Sequence, residues 1–115
     1  MTAEAWQPDA GDLIWTERDP SGSRDQAKRR PALVVSTKLF TANTGLAVVC
    51  PITSRVRRFP TSVVLPPGLP VSGEILTSHI RSIDTSARVV SYAGASLGAV
   101  LVDEVRAKLA AFITI

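Results

Sequence analysis

The chain has one cysteine, Cys50, and one histidine, His79. A lone cysteine excludes an internal disulfide and a metal site built from several thiolates. One imidazole among scattered carboxylates does not make a metal cage, so neither a metal nor any other cofactor is expected. No apolar run approaches the roughly 20 residues that a bilayer span requires. The opening stretch MTAEAWQPDAGD is acidic and has no apolar signal core, so a cytoplasmic protein without membrane contact is expected. Glycine-rich phosphate loops of the P-loop or dinucleotide type are absent, as is any serine-nucleophile signature. There is no internal repeat and no low-complexity run.

What is present suits one folded domain. At 115 residues there is no room for a second core. A hydrophobic content of 45% with 20% charged residues is that of a globular chain and not of a disordered one. The net charge is only +3, but the 13 Lys and Arg residues are unevenly spread. Arg24, Lys28, Arg29 and Arg30 form one cluster, and Arg55, Arg57 and Arg58 form another. Either these are two solvated loops, or folding brings them onto one face as a split site for an anionic ligand.

The stretch Ser21 to Ser36, SGSRDQAKRRPALVVS, organises the rest. It begins as a polar loop, turns basic around Asp25, and passes through Pro31 into an apolar run. Proline disfavours helical backbone in the residue before it, so Arg30 is extended. The run Ala32-Leu33-Val34-Val35 lacks polar alternation, as expected of a strand buried on both faces, and the strand is read as Ala32 to Ser36. A cation held at such a strand start is fixed well enough to do chemistry.

Residues 1–10 read as a frayed lead-in with Trp6 able to dock, and residues 11–115 as the domain. Asp12 to Thr16 is the first strand, and Asp19-Pro20-Ser21-Gly22 is a turn. Lys38-Leu39-Phe40 forms a short helical turn, and Asn43-Thr44-Gly45 marks a reversal. Leu46 to Ile52 is an apolar strand whose Pro51 places its end at an edge or bulge. Further strands are expected over Thr61–Leu65, within Gly73–Asp84, and over Arg88–Tyr92. Val102, Val105, Leu109 and Phe112 recur at helical spacing, which predicts an amphipathic helix from about Ser96 to Ile113. Short strands, long polar loops and one closing helix indicate a small, strongly curved β-barrel.

The chemistry that remains is guanidinium, a hydroxyl-bearing strand end, one carboxylate and one imidazole. That set suits RNA cleavage in which the ribose 2′-OH attacks the adjacent phosphorus. The protein must then supply in-line geometry, charge stabilisation and proton transfer. Arg30 offers a bidentate cation for phosphate oxygens, and Thr53 offers a hydroxyl to the same group. Two residues compete for the proton-transfer role. Asp25 lies among guanidinium groups, which weaken a carboxylate as a base. His79 carries the side-chain type that titrates near neutrality. Strand periodicity puts Thr77, His79 and Arg81 on one face. Asp25 otherwise orients Arg30 or caps a turn, and His79 is otherwise a hydrogen-bonded structural imidazole. Arg55, Arg57, Arg58 and Phe59 read as a loop that grips RNA, with Phe59 free to stack on a base. Arg81 is an RNA contact or part of an ion-pair cluster with Ser82 and Asp84. Trp15 belongs to the core or to an interface between protomers, and Cys50 to the core.

The order GDLIW, D-P-x-x-G, D-Q-x-x-x-R-P-A-L-V-V-S, C-P-I-T-S and H-I-R-S-I-D resembles the MazF/PemK/Kid family of toxin endoribonucleases, from Gly11 through the C-terminal helix. The resemblance implies a mainly β fold, a small SH3-like barrel with a C-terminal helix. It implies a homodimer, metal-independent cleavage of single-stranded RNA at a short sequence, and neutralisation by a cognate MazE-like antitoxin. It gives Arg30 the role of catalytic cation and Thr53 that of phosphate-binding hydroxyl. Arg24, Gln26, Lys28, Arg29 and Ser54 fall beside these positions as further RNA contacts. The family pattern has Glu-Gln and a glycine before Arg-Pro, where this chain has Asp25-Gln26 and Lys28. An acid followed by Gln is replaced by Ser78-His79. Two other readings follow: a non-catalytic RNA-binding module on the same barrel, and a protein-directed toxin acting on DNA gyrase.

Overall fold

The computed structural model describes residues 6–17 and 29–115. Arg24, Asp25, Gln26 and Lys28, and the turn at Asp19–Gly22, lie outside the described residues.

In chain order the elements are β1 (Asp12–Glu17), β2 (Arg30–Val34), α1 (Lys38–Thr44), β3 (Leu46–Thr53), β4 (Val63–Val64), β5 (Glu74–Ile75), β6 (Arg81–Asp84), β7 (Val89–Ser96) and α2 (Ala99–Ala110). The strands make one antiparallel sheet in the order β4-β5-β3-β2-β1-β7, with β6 also paired to β3. The fold is therefore mainly β with a C-terminal helix, as the sequence indicates.

The apolar run of β2 is buried on both faces, and alternate residues serve two different cores. Leu33 joins Leu13, Cys50, Ile52, Ile75 and Val105 in the larger cluster. Ala32 and Val34 join Ile14, Ala47, Val49 and Ile83 in the smaller one. A strand without polar alternation is what such two-sided burial demands. α2 covers the larger core: Val105 is buried, and Val102 and Leu109 pack against the cluster.

Pro51 lies inside β3, which runs on to Thr53. Its place is a seam. Along Leu46–Val49 the far side of β3 pairs with β6, and along Ile52–Thr53 it pairs with β5. Pro51 has no N–H to give either partner, and its carbonyl accepts the Leu76 N–H at 2.8 Å.

Four local expectations are corrected. β2 begins at Arg30 and not at Ala32, because Thr16 and Trp15 of β1 pair with Arg30 and Pro31. α2 begins at Ala99, since β7 extends to Ser96, which pairs with Asp12. Phe112 falls beyond the last helical turn and is exposed, so it leaves the apolar stripe. The lead-in is tied down from residue 6. Trp6 packs on Tyr92 with ring centroids 5.5 Å apart, and Asp9 Oδ1 accepts the Lys38 N–H at the start of α1 at 2.8 Å.

Candidate functional site

The smaller core ends in a polar rim. Side chains alternate along a strand, so Arg30 projects from the same face as Ala32 and Val34, and Thr53 from the same face as Ala47, Val49 and Pro51. Thr16 pairs with Arg30. Ala32 pairs with Pro51, and carrying that antiparallel register on sets Thr53 across from Arg30. Three adjacent strands thus deliver Thr16, Arg30 and Thr53 in one row at the end of the smaller core.

This row opens into a cleft of about 470 Å³. Ala32, Val49 and Ile83 line its apolar part, and Arg29, Arg30, Thr53, Ser54, His79 and Arg81 its polar part. A neighbouring cleft of about 290 Å³ shares Thr16, Arg30, His79 and Arg81 and adds Arg88. Another, of about 590 Å³, shares Thr53, Ser54, Leu76 and His79 and adds Arg55, Arg57, Phe59, Glu74 and Ser78. His79 borders all three. The three hollows therefore make one trough, with Arg88 at one end and Phe59 at the other.

Its electrostatics are one-sided among the described residues. Six guanidinium side chains (Arg29, Arg30, Arg55, Arg57, Arg81 and Arg88) line it against one carboxylate, Glu74. The ion pair found among the described residues is Arg106–Asp103 on α2, and both its partners are well exposed. The trough's guanidinium groups are thus not neutralised by described carboxylates, and such a surface attracts polyanions. Glu74 spends its oxygens on backbone. Its carboxylate accepts the N–H groups of Arg57, Arg58 and Phe59 at 2.6, 3.0 and 2.8 Å. The Arg57 N–H, with the other two, holds its titration below the ordinary carboxylate range against the opposing effect of burial.

Thr53 is set up as a donor. Its Oγ1 accepts the Arg55 N–H at 3.1 Å, which leaves the hydroxyl proton for another acceptor. The strand end that carries it is held from behind by Gly73, at φ +129. A Cβ on Gly73 would overlap the Thr53 carbonyl oxygen and stand 2.9 Å from the carbonyl carbon. Only glycine allows β5 this close, and its positive φ excludes an ordinary side chain as well.

The structure brings Arg30, Thr53, His79, Arg29, Ser54 and Arg81 to one cleft, and Arg55, Arg57 and Phe59 to the cleft beside it. Arg58 lines none of the three hollows, and its left-handed φ of 56 turns its N–H toward Glu74. Arg29 also stacks over Trp15, 4.5 Å from the ring centroid. Two expectations change. Thr77–His79 is a 3-10 turn and not a strand, so His79 and Arg81 meet because the turn ends where β6 begins. No ion pair joins Arg81 to Asp84. The Asp84 carboxylate instead accepts the N–H and hydroxyl of Ser86 at 2.9 and 2.7 Å. Sequence reasoning missed Thr16, Glu74 and Arg88. A threonine in an apolar strand and a single glutamate carry no local signal, because only strand pairing places them in the trough.

The family model described as PemK-like, MazF-like toxin of type II toxin-antitoxin system matches residues 9–113. The chain belongs to this family. It is 38% identical over 81 residues to the endoribonuclease toxin MazF of Escherichia coli (strain K12), covering 70% of this chain and 72% of that protein. The fold matches the crystal structure of MazE-MazF (Form-II) from Deinococcus radiodurans with a TM-score of 0.80 and 40% identity, over 93% of this chain and 95% of that one. MazF (Form-I) from the same organism matches at 0.79 and 41%, over 93% and 96%. In this member of the toxin family a mainly β fold carries a cationic trough across the ends of β1, β2 and β3. Among the described residues no helix is long and apolar enough to cross a membrane.

Proposed function

We propose that this toxin is a metal-independent endoribonuclease that cleaves single-stranded RNA in the trough. The observation that carries the reading is the meeting of Arg30 and Thr53 in one cationic cleft that also holds His79. The endoribonuclease named MazF, 38% identical to this chain, supports it.

The reaction uses a nucleophile that the substrate brings. The ribose 2′-OH attacks the adjacent phosphorus. A P–O2′ bond forms and the P–O5′ bond breaks, leaving a cyclic phosphate and a free 5′-OH. DNA has no 2′-OH and is not cut this way. Arg30 places its planar guanidinium against the non-bridging phosphate oxygens, whose negative charge grows in the transition state. Thr53 donates its free hydroxyl proton to the same group. The proton leaving the 2′-OH needs an acceptor and the departing O5′ needs a donor. His79 stands in the cleft with a side chain able to serve in either role. Asp25 is the other candidate for proton transfer. Ser54, Arg29, Arg81 and Arg88 hold flanking phosphates, and Arg55, Arg57 and Phe59 hold the strand where it leaves the cleft, with Phe59 stacking on a base. Arg24, Gln26 and Lys28 extend the RNA contacts from the β1–β2 loop.

The protein works in the cytoplasm as a homodimer, and a cognate antitoxin lays an acidic or hydrophobic segment over the trough in competition with RNA. The MazE-MazF structure from Deinococcus radiodurans supports such a partner.

Digestion of unstructured RNA in EDTA tests the reading. The wild type is expected to release fragments ending in cyclic phosphate, and Arg30→Ala to cut at least about 10²-fold more slowly, as for removal of one transition-state donor, with the fold intact. An Arg30→Ala variant that cuts as fast as wild type overturns the assignment. RNA bound but left whole by the wild type makes the protein a non-catalytic binder.

A further inference from the structure

One buried charge has no part in the cleavage chemistry. Glu74 is 1% exposed on β5 and pairs with Thr53 of β3. A carboxylate so placed is costly unless its oxygens are satisfied, and here three successive backbone N–H groups of the β3–β4 loop satisfy them. The pattern of partners is informative. Glu74 lies beneath a loop with three arginines in four positions, yet no guanidinium is within salt-bridge distance of it among the described residues. It grips the loop by the backbone and leaves the exposed cations facing outward. Arg58 adopts its left-handed backbone between two other residues bonded to the same carboxylate. The far end of the loop is pinned as well, since Lys108 Nζ on α2 donates to the Pro60 carbonyl at 2.9 Å.

Left to itself, a loop with three like charges is driven apart by its own repulsion. A buried anion under its backbone offsets that repulsion at short range, where solvent screening is weak. An ion pair with one of the arginines would give similar stability but would occupy the group that RNA needs.

We propose that Glu74 is a positioning residue for RNA binding, clamping the backbone of residues 57–59 so that Arg55, Arg57 and Phe59 reach the strand already ordered. This rests on the RNA reading of the trough. It adds that the affinity of the loop is set from β5, by a residue that touches no nucleotide. Ordering the loop before binding lowers the entropic cost of the complex.

The test compares wild type with Glu74→Asp and Glu74→Gln, at a temperature where circular dichroism shows each variant folded. Gln has one acceptor where three donors converge, and Asp keeps the charge but falls one methylene short. Two quantities are read. Trypsin cleavage after Arg55, Arg57 and Arg58 reports loop order without RNA. Affinity for an uncleavable 2′-O-methyl oligonucleotide across a salt series reports binding without catalysis. Glu74→Gln is expected to be cut faster by trypsin and to bind about tenfold more weakly, as for removal of a charge-assisted hydrogen bond. Its log-affinity against log-salt slope falls by roughly 0.7 for each phosphate that the loop no longer engages. On cleavable RNA the change falls on KM and not on kcat, and Glu74→Asp lies between the other two. Loss of trypsin protection with unchanged affinity and slope overturns the proposal, as does unchanged protection, or a defect confined to kcat. A wild type that binds no oligonucleotide sinks the RNA reading and the proposal together, while the trypsin arm still reports whether the clamp exists.

Discussion

Gly73→Ala is the substitution for which the trough makes the sharpest demand. Gly73 has φ +129, and a Cβ there would overlap the Thr53 carbonyl oxygen, 2.9 Å from its carbonyl carbon and 3.1 Å from Ser54 Cα. All of these are backbone atoms of β3 and the residue after it, so no side chain can swing aside. Restoring ordinary van der Waals separation moves the Thr53 backbone by about 1 Å, a displacement that costs on the order of 10²-fold in rate when a catalytic group must be held in near-attack geometry. Backbone strain at the positive φ adds a stability loss of about 1–3 kcal/mol. Gly68→Ala separates the two effects. Gly68 also has positive φ, +97, but its Cβ would meet nothing within 4 Å, so it is strained without pushing on the site. Single-turnover cleavage of a fluorogenic RNA in EDTA, with thermal melts in parallel, is the assay. Both variants are expected to melt lower than wild type, and only Gly73→Ala to lose the rate. A folded Gly73→Ala enzyme that cuts within about threefold of wild type refutes the reasoning, because Thr53 then either has not moved or does not act on the phosphate.

The remaining predictions concern protons and solvent. The three N–H groups hold Glu74 below its ordinary value of 4.5 in the fold, so its contribution to stability is fully present above that pH and is lost as the pH falls through the lower, folded value. Melting temperature should therefore drop more steeply with acidification in wild type than in Glu74→Gln, and parallel acid profiles would show that the carboxylate is not stabilised by the fold. Asp84, held below 3.8 by the Ser86 hydroxyl and N–H, acts with the same sign, and Ser86→Ala should flatten the most acidic part of the profile. Burial pushes the Cys50 thiol up to about 11, so iodoacetamide should leave the native protein unmodified at pH 8 and label it fully in denaturant; rapid native labelling would show that the larger core opens readily.

How far the site could be read from the chain varied by residue. Arg30 and Thr53 were legible because local grammar marks them: a basic run stopped by Pro31 before a β-branched strand, and a hydroxyl beyond Pro51. His79 was legible as a chemical type but not as a placement. Its neighbour Arg81 was expected beside it through strand periodicity, whereas a 3-10 turn brings the two together. Glu74 and Arg88 were not legible as site residues, since neither lies in a basic cluster. β-ladder register, a long-range property, carries Glu74 to the trough, and Arg88 arrives there from the bend just before β7. The expected helix start ran past a local signal, since Gly98 is the extended N-cap before Ala99, and pairing of Ser96 in β7 with Asp12 keeps the residues before it in the sheet.

The sequence alone determined that the chain would bury two faces of one central strand, hold a cation at its start and carry a surplus of positive charge in two loops. These follow from the spacing of apolar residues and from the restricted backbone around proline, which act over a few residues. Tertiary structure decided that Arg29 and Arg30 share one trough with Arg55 and Arg57, that Thr53 stands across from Arg30, and that a buried glutamate holds the second loop in place. Those depend on which strands pair and in what register, a choice made by burying the smaller core as a whole, and no short segment contains it.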